Sequence, residues 1–138
     1  MYLPEIFEEK NLEKLYQLIQ DYPFATLISH SAEGLEANHL PFHLLRDEHS
    51  QTTTLVAHIA RNNPLHIQIE DGREVLIIFQ GEQGYISPNW YPSKQQHHQH
   101  VPTWNYQVVH VKGTITFLSD EKALRGILAK LTRTHETK

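Results

Sequence analysis

Residues Phe24 to Leu45 read FATLISHSAEGLEANHLPFHLL, and this stretch decides the fold class. Phe24 to His30 and Leu35 to Leu45 are strand-like runs, and Ser31-Ala32-Glu33-Gly34 between them has the composition of a turn. The pair predicts an antiparallel hairpin. Pro41 has no N–H to give to a ladder, so it predicts a bulge or a sheet edge inside the second run.

Working outward, Asn11 to Asp21 predicts a helix. Asn11 is a good N-cap, Glu13 suits the positive end of the helix dipole, and Leu12, Leu15, Tyr16 and Ile19 fall on one face. Pro23 ends it. After the hairpin, Leu55 to Ala60 predicts a third strand, and Asn63-Pro64 opens a short helix or turn carrying Leu65, Ile67 and Ile69, stopped by Asp71-Gly72. Glu74 to Gln80 is the most strand-like run, and its unbroken apolar residues Val75 to Phe79 predict burial on both faces. Gly81 and Gly84 predict a turn before Tyr85. A strand is expected from Tyr106 to Phe117 with a bend at Gly113, and a helix from Ala123 to Thr132 capped by Ser119 or Asp120. Helices bracket mainly antiparallel strands, and only one short helical link separates strands. The expectation is a small α+β, barrel-like domain spanning 1–138, not a βαβ fold.

Composition narrows the function classes. Leu, Ile, Val and Phe supply 38 of 138 residues, above the level of disordered chains. The net charge of −4 argues mildly against a nucleic-acid partner. The absence of cysteine excludes disulfides, thiolate chemistry and Cys-based metal sites. No basic n-region or apolar span of ~20 residues occurs, so a cytoplasmic domain without membrane partners is expected. Eleven histidines are many for this length, and imidazoles can serve as metal or haem ligands, proton carriers or phosphate contacts.

Four segments carry candidate chemistry. In Ala37-Asn38-His39-Leu40-Pro41-Phe42, poor strand formers and a proline suggest either a bulge at a barrel corner or a strand facing a planar ligand. His58-Ile59-Ala60-Arg61-Asn62-Asn63-Pro64 lies at a strand-to-helix junction, where backbone N–H groups attract anions and Arg61 could grip a phosphate. A surface arginine beside an Asn cap is the plainer reading. Tyr85 to Lys94 (YISPNWYPSK) and Val101 to Tyr106 (VPTWNY) concentrate both tryptophans and three of the six tyrosines within 22 residues. Aromatics stiffened by prolines suit stacking on a heterocycle, an interface, or ordinary core packing. Between them His97, His98 and His100 share no register that makes them converge, so a solvated loop is favoured over a metal site.

Taken in order, ANHLPF, HIARNNP, YISPNWYPSK and VPTWNY resemble the PaiB-type family of FMN-binding negative transcriptional regulators, along essentially the whole chain. That family is similar to the pyridoxamine-phosphate-oxidase-like split barrels, in which FMN lies between two subunits. The resemblance implies an FMN-binding split β-barrel with flanking helices, acting as a homodimer. It implies that the strand backbone at Asn38, His39 and Leu40 lies along the flavin ring. His58, Ala60, Arg61 and Asn62 take phosphate and ribityl contacts, and Trp90, Lys94, Thr103, Trp104 and Asn105 form an aromatic wall reaching across the dimer. Family members run some tens of residues further, so a C-terminal extension is expected to be missing here. No helix-turn-helix is recognisable, and Lys122, Arg125, Lys130 and Arg133 make only a modest basic set, so direct DNA binding is doubtful. Alternatives on the same fold are a flavin-dependent oxidoreductase and, given the histidines, a haem-binding protein.

Overall fold

The computed structural model describes residues 1–47, 52–94 and 100–136. Helix α1 (Leu12–Asp21) starts where Asn11 accepts a hydrogen bond from the Glu13 N–H at 3.0 Å, satisfying one of the unpaired donors of a helix start. Its apolar stripe buries Ile19 and rests Leu15, Tyr16 and Leu18 on the core. The Glu13 carboxylate on this helix holds Arg46 at 2.7 Å, and the same guanidinium lies 4.6 Å from the Tyr16 ring centroid.

The expected hairpin is present. Strands β1 (Phe24–Ser31) and β2 (Gly34–Pro41) pair antiparallel from Phe24↔Pro41 to Ser31↔Gly34. Gly34 closes the turn at φ +115°, a conformation costly for any residue with a Cβ. The run expected as one strand to Leu45 divides at Phe42. Pro41 ends β2, the Phe42 N–H donates to Pro23 O at 2.8 Å, and the Phe42 ring turns into the core. The chain then enters a separate two-stranded sheet, β3 (His43–Asp47) with β4 (Thr52–Val56). The strand expected at Leu55 to Ala60 is therefore β4, at Thr52–Val56. Residues 57–60 are irregular and are held by Ala57 and Ile59 against the core.

After the short helix α2 (Leu65–Gln68), strand β5 (Glu74–Ile86) runs straight through the turn expected at Gly81 and Gly84. Gly81 lies in a bulge instead, where pairing with β6 (Thr103–Thr114) shifts register between Gln80 and Gln83, while Gly84 stays in register opposite Asn105. At Gly81 a Cβ would lie 3.0 Å from Gln107 Oε1 and 3.1 Å from Gln107 Cβ, so close strand approach favours glycine there unless Gln107 shifts. Strand β6 starts and ends earlier than the expected Tyr106 to Phe117. Beyond it the backbone bonds to the turn after α2, Gly72 N–H to Ile115 O at 2.8 Å and Phe117 N–H to Asp71 Oδ1 at 2.8 Å. Helix α3 (Glu121–Glu136) is longer than the expected Ala123 to Thr132, and Asp120 O accepts the Leu124 N–H at its start.

The larger sheet has the order β2-β1-β5-β6, with every neighbouring pair antiparallel. Its inner face, bearing Ala25, Leu27, Val75, Ile77, Phe79 and Val109, buries against Ile19, Phe42, Leu44, Leu65 and Ile69. Phe42 and Phe79 meet edge to face at 5.8 Å. Burial on β5 alternates, contrary to the expectation for its apolar run: Leu76 and Ile78 point to the other face and are only half-buried. The architecture is α+β with mainly antiparallel strands, and among the described residues the strands form two sheets without a closed barrel. Among these residues no helix is long and apolar enough to cross a membrane.

Candidate functional site

Strand alternation sorts the first candidate segment. Asn38 pairs with the buried Leu27 and Leu40 with the buried Ala25, so both side chains take the inner side of the sheet. His39 pairs with Thr26 and takes the outer side, where its Nδ1 lies 3.1 Å from Thr26 Oγ1. Leu40 packs on the core. The three therefore do not offer their side chains to one place, and Asn38 is the member that turns toward the second segment.

There, residues 58–63 form a turn leading into α2. The Asn63 N–H donates to Ala60 O at 2.9 Å, and Asn63 Oδ1, one residue ahead of the N-cap Pro64, accepts the Leu65 N–H at 2.9 Å. Asn63 Nδ2 donates to Asn38 Oδ1, also at 2.9 Å. This bond joins the two segments, which stand 25 residues apart in sequence. His58, Ala60, Arg61 and Asn62 are exposed around the joint. Among the described residues Arg61 forms no ion pair. Its guanidinium is thus available to an anion.

The remaining candidates stand elsewhere. Thr103, Trp104 and Asn105 open β6 opposite Ile86, Tyr85 and Gly84. Trp104 is 53% exposed, donates its Nε1–H to Gln83 Oε1 at 3.0 Å, and tilts against Tyr85 at 6.1 Å. Trp90 is 66% exposed at the end of a 3-10 turn, Pro88–Trp90. Lys94 is engaged within the chain, its Nζ donating to Asn89 Oδ1. His97 and His98 lie outside the described residues. His100 stacks on Tyr91 at 4.8 Å and contacts Ser93 Oγ at 2.8 Å through Nε2, so this histidine is occupied by its neighbours. A shallow cavity of about 250 Å³ sits at the bulge, lined by Gln80, Gly81, Gln83, Trp104, Tyr106 and Gln107.

The candidates thus fall into two groups: a polar junction on the β2 edge and an aromatic group on the β6 edge. Asn63, Gln68 and Gln83 are additions that sequence reading missed. Asn63 looked like a simple cap, and only its second bond, to Asn38, reveals more. Among the described residues Gln68 Oε1 on α2 is buried without a partner, and no local pattern announces that.

The arrangement is that of a small antiparallel α+β domain with an anion-competent polar junction. The whole chain, residues 1–138, matches the family described as "Putative FMN-binding domain". The chain belongs to this PaiB-type FMN-binding family. It is 34% identical to Uncharacterized protein YKL070W of Saccharomyces cerevisiae, with 100% of this chain and 92% of that protein covered. It is also 34% identical to Protease synthase and sporulation protein PAI 2 of Bacillus subtilis, over 88% of this chain and 56% of that protein. A third relative, Uncharacterized protein AFUA_5G13800 of Aspergillus fumigatus, is 32% identical over 89% of this chain and 59% of its own length. The chain therefore spans little more than half of the second and third relatives.

FMN is the cofactor of this family, and the junction has the right donors for it. Asn38 Nδ2 is buried and, among the described residues, has no hydrogen-bond partner. A buried amide donor left unpaired costs roughly 1–3 kcal/mol, which an acceptor atom on a ligand would recover. Arg61, without an ion pair among the described residues, has the charge and donors that a phosphate would need. Bound FMN would supply reversible one- or two-electron transfer, and the protein's residues would supply binding, orientation and electrostatics.

Proposed function

We propose that this chain is a split-barrel FMN-binding homodimer with a regulatory role, exerted through flavin occupancy or redox state. The observation that carries the reading is the division of the candidate site between opposite edges of one sheet. Asn38 shares its cross-sheet row with Val111, seven residues along β6 from Trp104. At about 4.8 Å between strands and about 3.4 Å per residue, the two groups are on the order of 25 Å apart. One flavin cannot touch both groups of a single chain. Two copies can bring the junction of one against the aromatic group of the other.

In this reading Asn38, His39 and Leu40 border the flavin ring, with Asn38 contributing its side chain. Arg61, with His58, Ala60 and Asn62, receives the phosphate and ribityl chain. Trp90, Thr103, Trp104 and Asn105 come from the second copy, with Lys94 held beside them by Asn89. The outer sheet face supports this pairing, since Phe24, Tyr85, Trp104 and Tyr106 all stand exposed on it. Exposed apolar surface of this kind marks an interaction site. The two sheets correspond to the halves of a split barrel, sharing the core around Phe42 and Phe79.

The regulatory part rests on the relative named for protease synthesis and sporulation. The domain acts there through a partner more readily than as a DNA reader, because its net charge is −4 and α1 and α3 bracket the strands. Titrating apo-protein with FMN, FAD and NAD, with sedimentation of each mixture, tests the proposal. Preference for FMN and a dimer at micromolar concentration are expected. Equal or tighter FAD binding, or a monomer that holds FMN at full affinity, overturns it.

A further inference from the structure

We propose that Asn63 is a positioning residue that fixes the polarity of Asn38, so that position 38 offers the flavin a donor. The inference rests on the FMN reading above and assigns a role to a residue outside the expected contact set. The chain of reasoning begins at a group whose role cannot change. The Leu65 backbone N–H can only donate, so the Asn63 atom 2.9 Å away from it must be the carbonyl oxygen. The other end of the same amide, Nδ2, then faces Asn38 and must donate, so Asn38 turns its oxygen toward Asn63 at 2.9 Å. Asn38 is left with its NH2 group directed elsewhere, buried and unpartnered among the described residues. Side-chain amides can ordinarily flip between two near-equivalent orientations. Here the backbone at the start of α2 selects one.

Asn63 is itself held on every side. Its N–H bonds to Ala60 O at 2.9 Å, and its own carbonyl lies 2.7 Å from His66 Nδ1, which must carry the proton in that contact. The side chain is therefore a fixed relay from helix start to β2. The relay selects ligand atoms that accept a hydrogen bond at position 38 and rejects those that donate.

Two substitutions separate positioning from folding. Asn63→Asp keeps an oxygen for the Leu65 N–H, so that bond survives. A carboxylate has no donor for Asn38, whose amide then reverses and presents oxygen to the flavin. Asn38→Asp keeps the oxygen that Asn63 bonds and replaces the free donor by a second acceptor. Both variants are expected to weaken FMN binding at least tenfold in fluorescence titration. The apo melting temperature of Asn63→Asp is expected to stay at the wild-type value, whereas Asn63→Ala, lacking that bond and the relay, lowers both. FMN affinity within twofold of wild type in Asn63→Asp overturns the inference, as does a loss confined to Asn38→Asp. If Asn63→Asp does not fold, unchanged FMN affinity in Asn38→Asp overturns it equally. A wild-type protein that binds no FMN brings down the cofactor reading and this inference together, a result distinct from tight wild-type binding with indifferent variants.

Discussion

The polar junction and the aromatic group are built in opposite ways. At the junction, Asn38, Asn63 and the start of α2 are tied by bonds of 2.9 Å, and Leu65, 1% exposed, anchors the helix beneath them. In the aromatic group, Trp90 and Trp104 are more than half exposed, and among the described residues Trp104 leans on Gln83 and Tyr85. A region completed within one chain can be organised before a ligand arrives. A region of exposed rings is finished only by something that covers it. The contrast predicts that damage to the first lowers folding and flavin affinity, whereas damage to the second lowers association.

The largest expected effect follows from removing the anchor of the junction. Leu65→Ala leaves a cavity beneath α2 and should cost about 2–5 kcal/mol of stability. Urea unfolding followed by circular dichroism measures it. A cost under about 1 kcal/mol would mean that the junction is not braced by the core and that the contrast is drawn wrongly.

Arg61→Ala comes next. It should weaken FMN binding by about 1.5–3 kcal/mol, the range for a lost hydrogen bond to a charged group. Riboflavin, which has no phosphate, should bind wild type and variant alike. Equal losses for both ligands would place Arg61 against the ring or give it a structural role, moving the phosphate elsewhere.

Trp104→Ala probes the other region. Its ring is 53% exposed in the single chain, so monomer stability should change by no more than about 0.5 kcal/mol. Dimer affinity should fall by about 1–2 kcal/mol, as for a central aromatic anchor. Sedimentation equilibrium over a concentration series reads this directly. A variant as dimeric as wild type would put the interface on another surface.

Much of the fold was legible because its signals are local. Asn11 announced the start of α1, Pro23 its end, and Ser31 to Gly34 the hairpin turn. The misreadings share one cause, which is that glycine and apolarity have several uses. Gly81 and Gly84 looked like a turn, but Gly81 sits in a bulge inside a continuous strand and Gly84 is regularly paired, which only the approach of the partner strand reveals. Val75 to Phe79 looked buried on both faces because apolar residues on an unpartnered outer face read the same as residues in a core. The candidate site was legible as four motifs and not as an arrangement. The bond between Asn38 and Asn63 depends on a tertiary meeting that spacing does not encode. So does the separation of Trp104 from Asn38, which is set by the order of strands.

The smallest expected effect concerns pH and the outer face. His110 lies in the cross-sheet row His39–Thr26–Ile78–His110, on the face that the dimer reading covers. Partial burial holds its imidazole below the ordinary histidine value, and the positive amino terminus of the chain adds to the same direction. The unfolded chain, with a histidine pKa of about 6.5, therefore takes up this proton at higher pH than the folded chain does. In the window from about 6.5 down to the depressed folded value, the unfolded state binds more protons, so stability rises with pH there and is lost on acidification. Above the window both states are neutral and the term vanishes. Covering the face with a second copy removes more water from His110, which deepens the depression and widens the window. The pH dependence should accordingly be steeper at concentrations where the dimer forms than in dilute protein or in Trp104→Ala. His110→Asn should flatten it in every case. Thermal melts between pH 7 and pH 5 at two protein concentrations make the comparison. A slope that ignores both concentration and His110→Asn would separate this histidine from the interface and leave the aromatic group to account for association by itself.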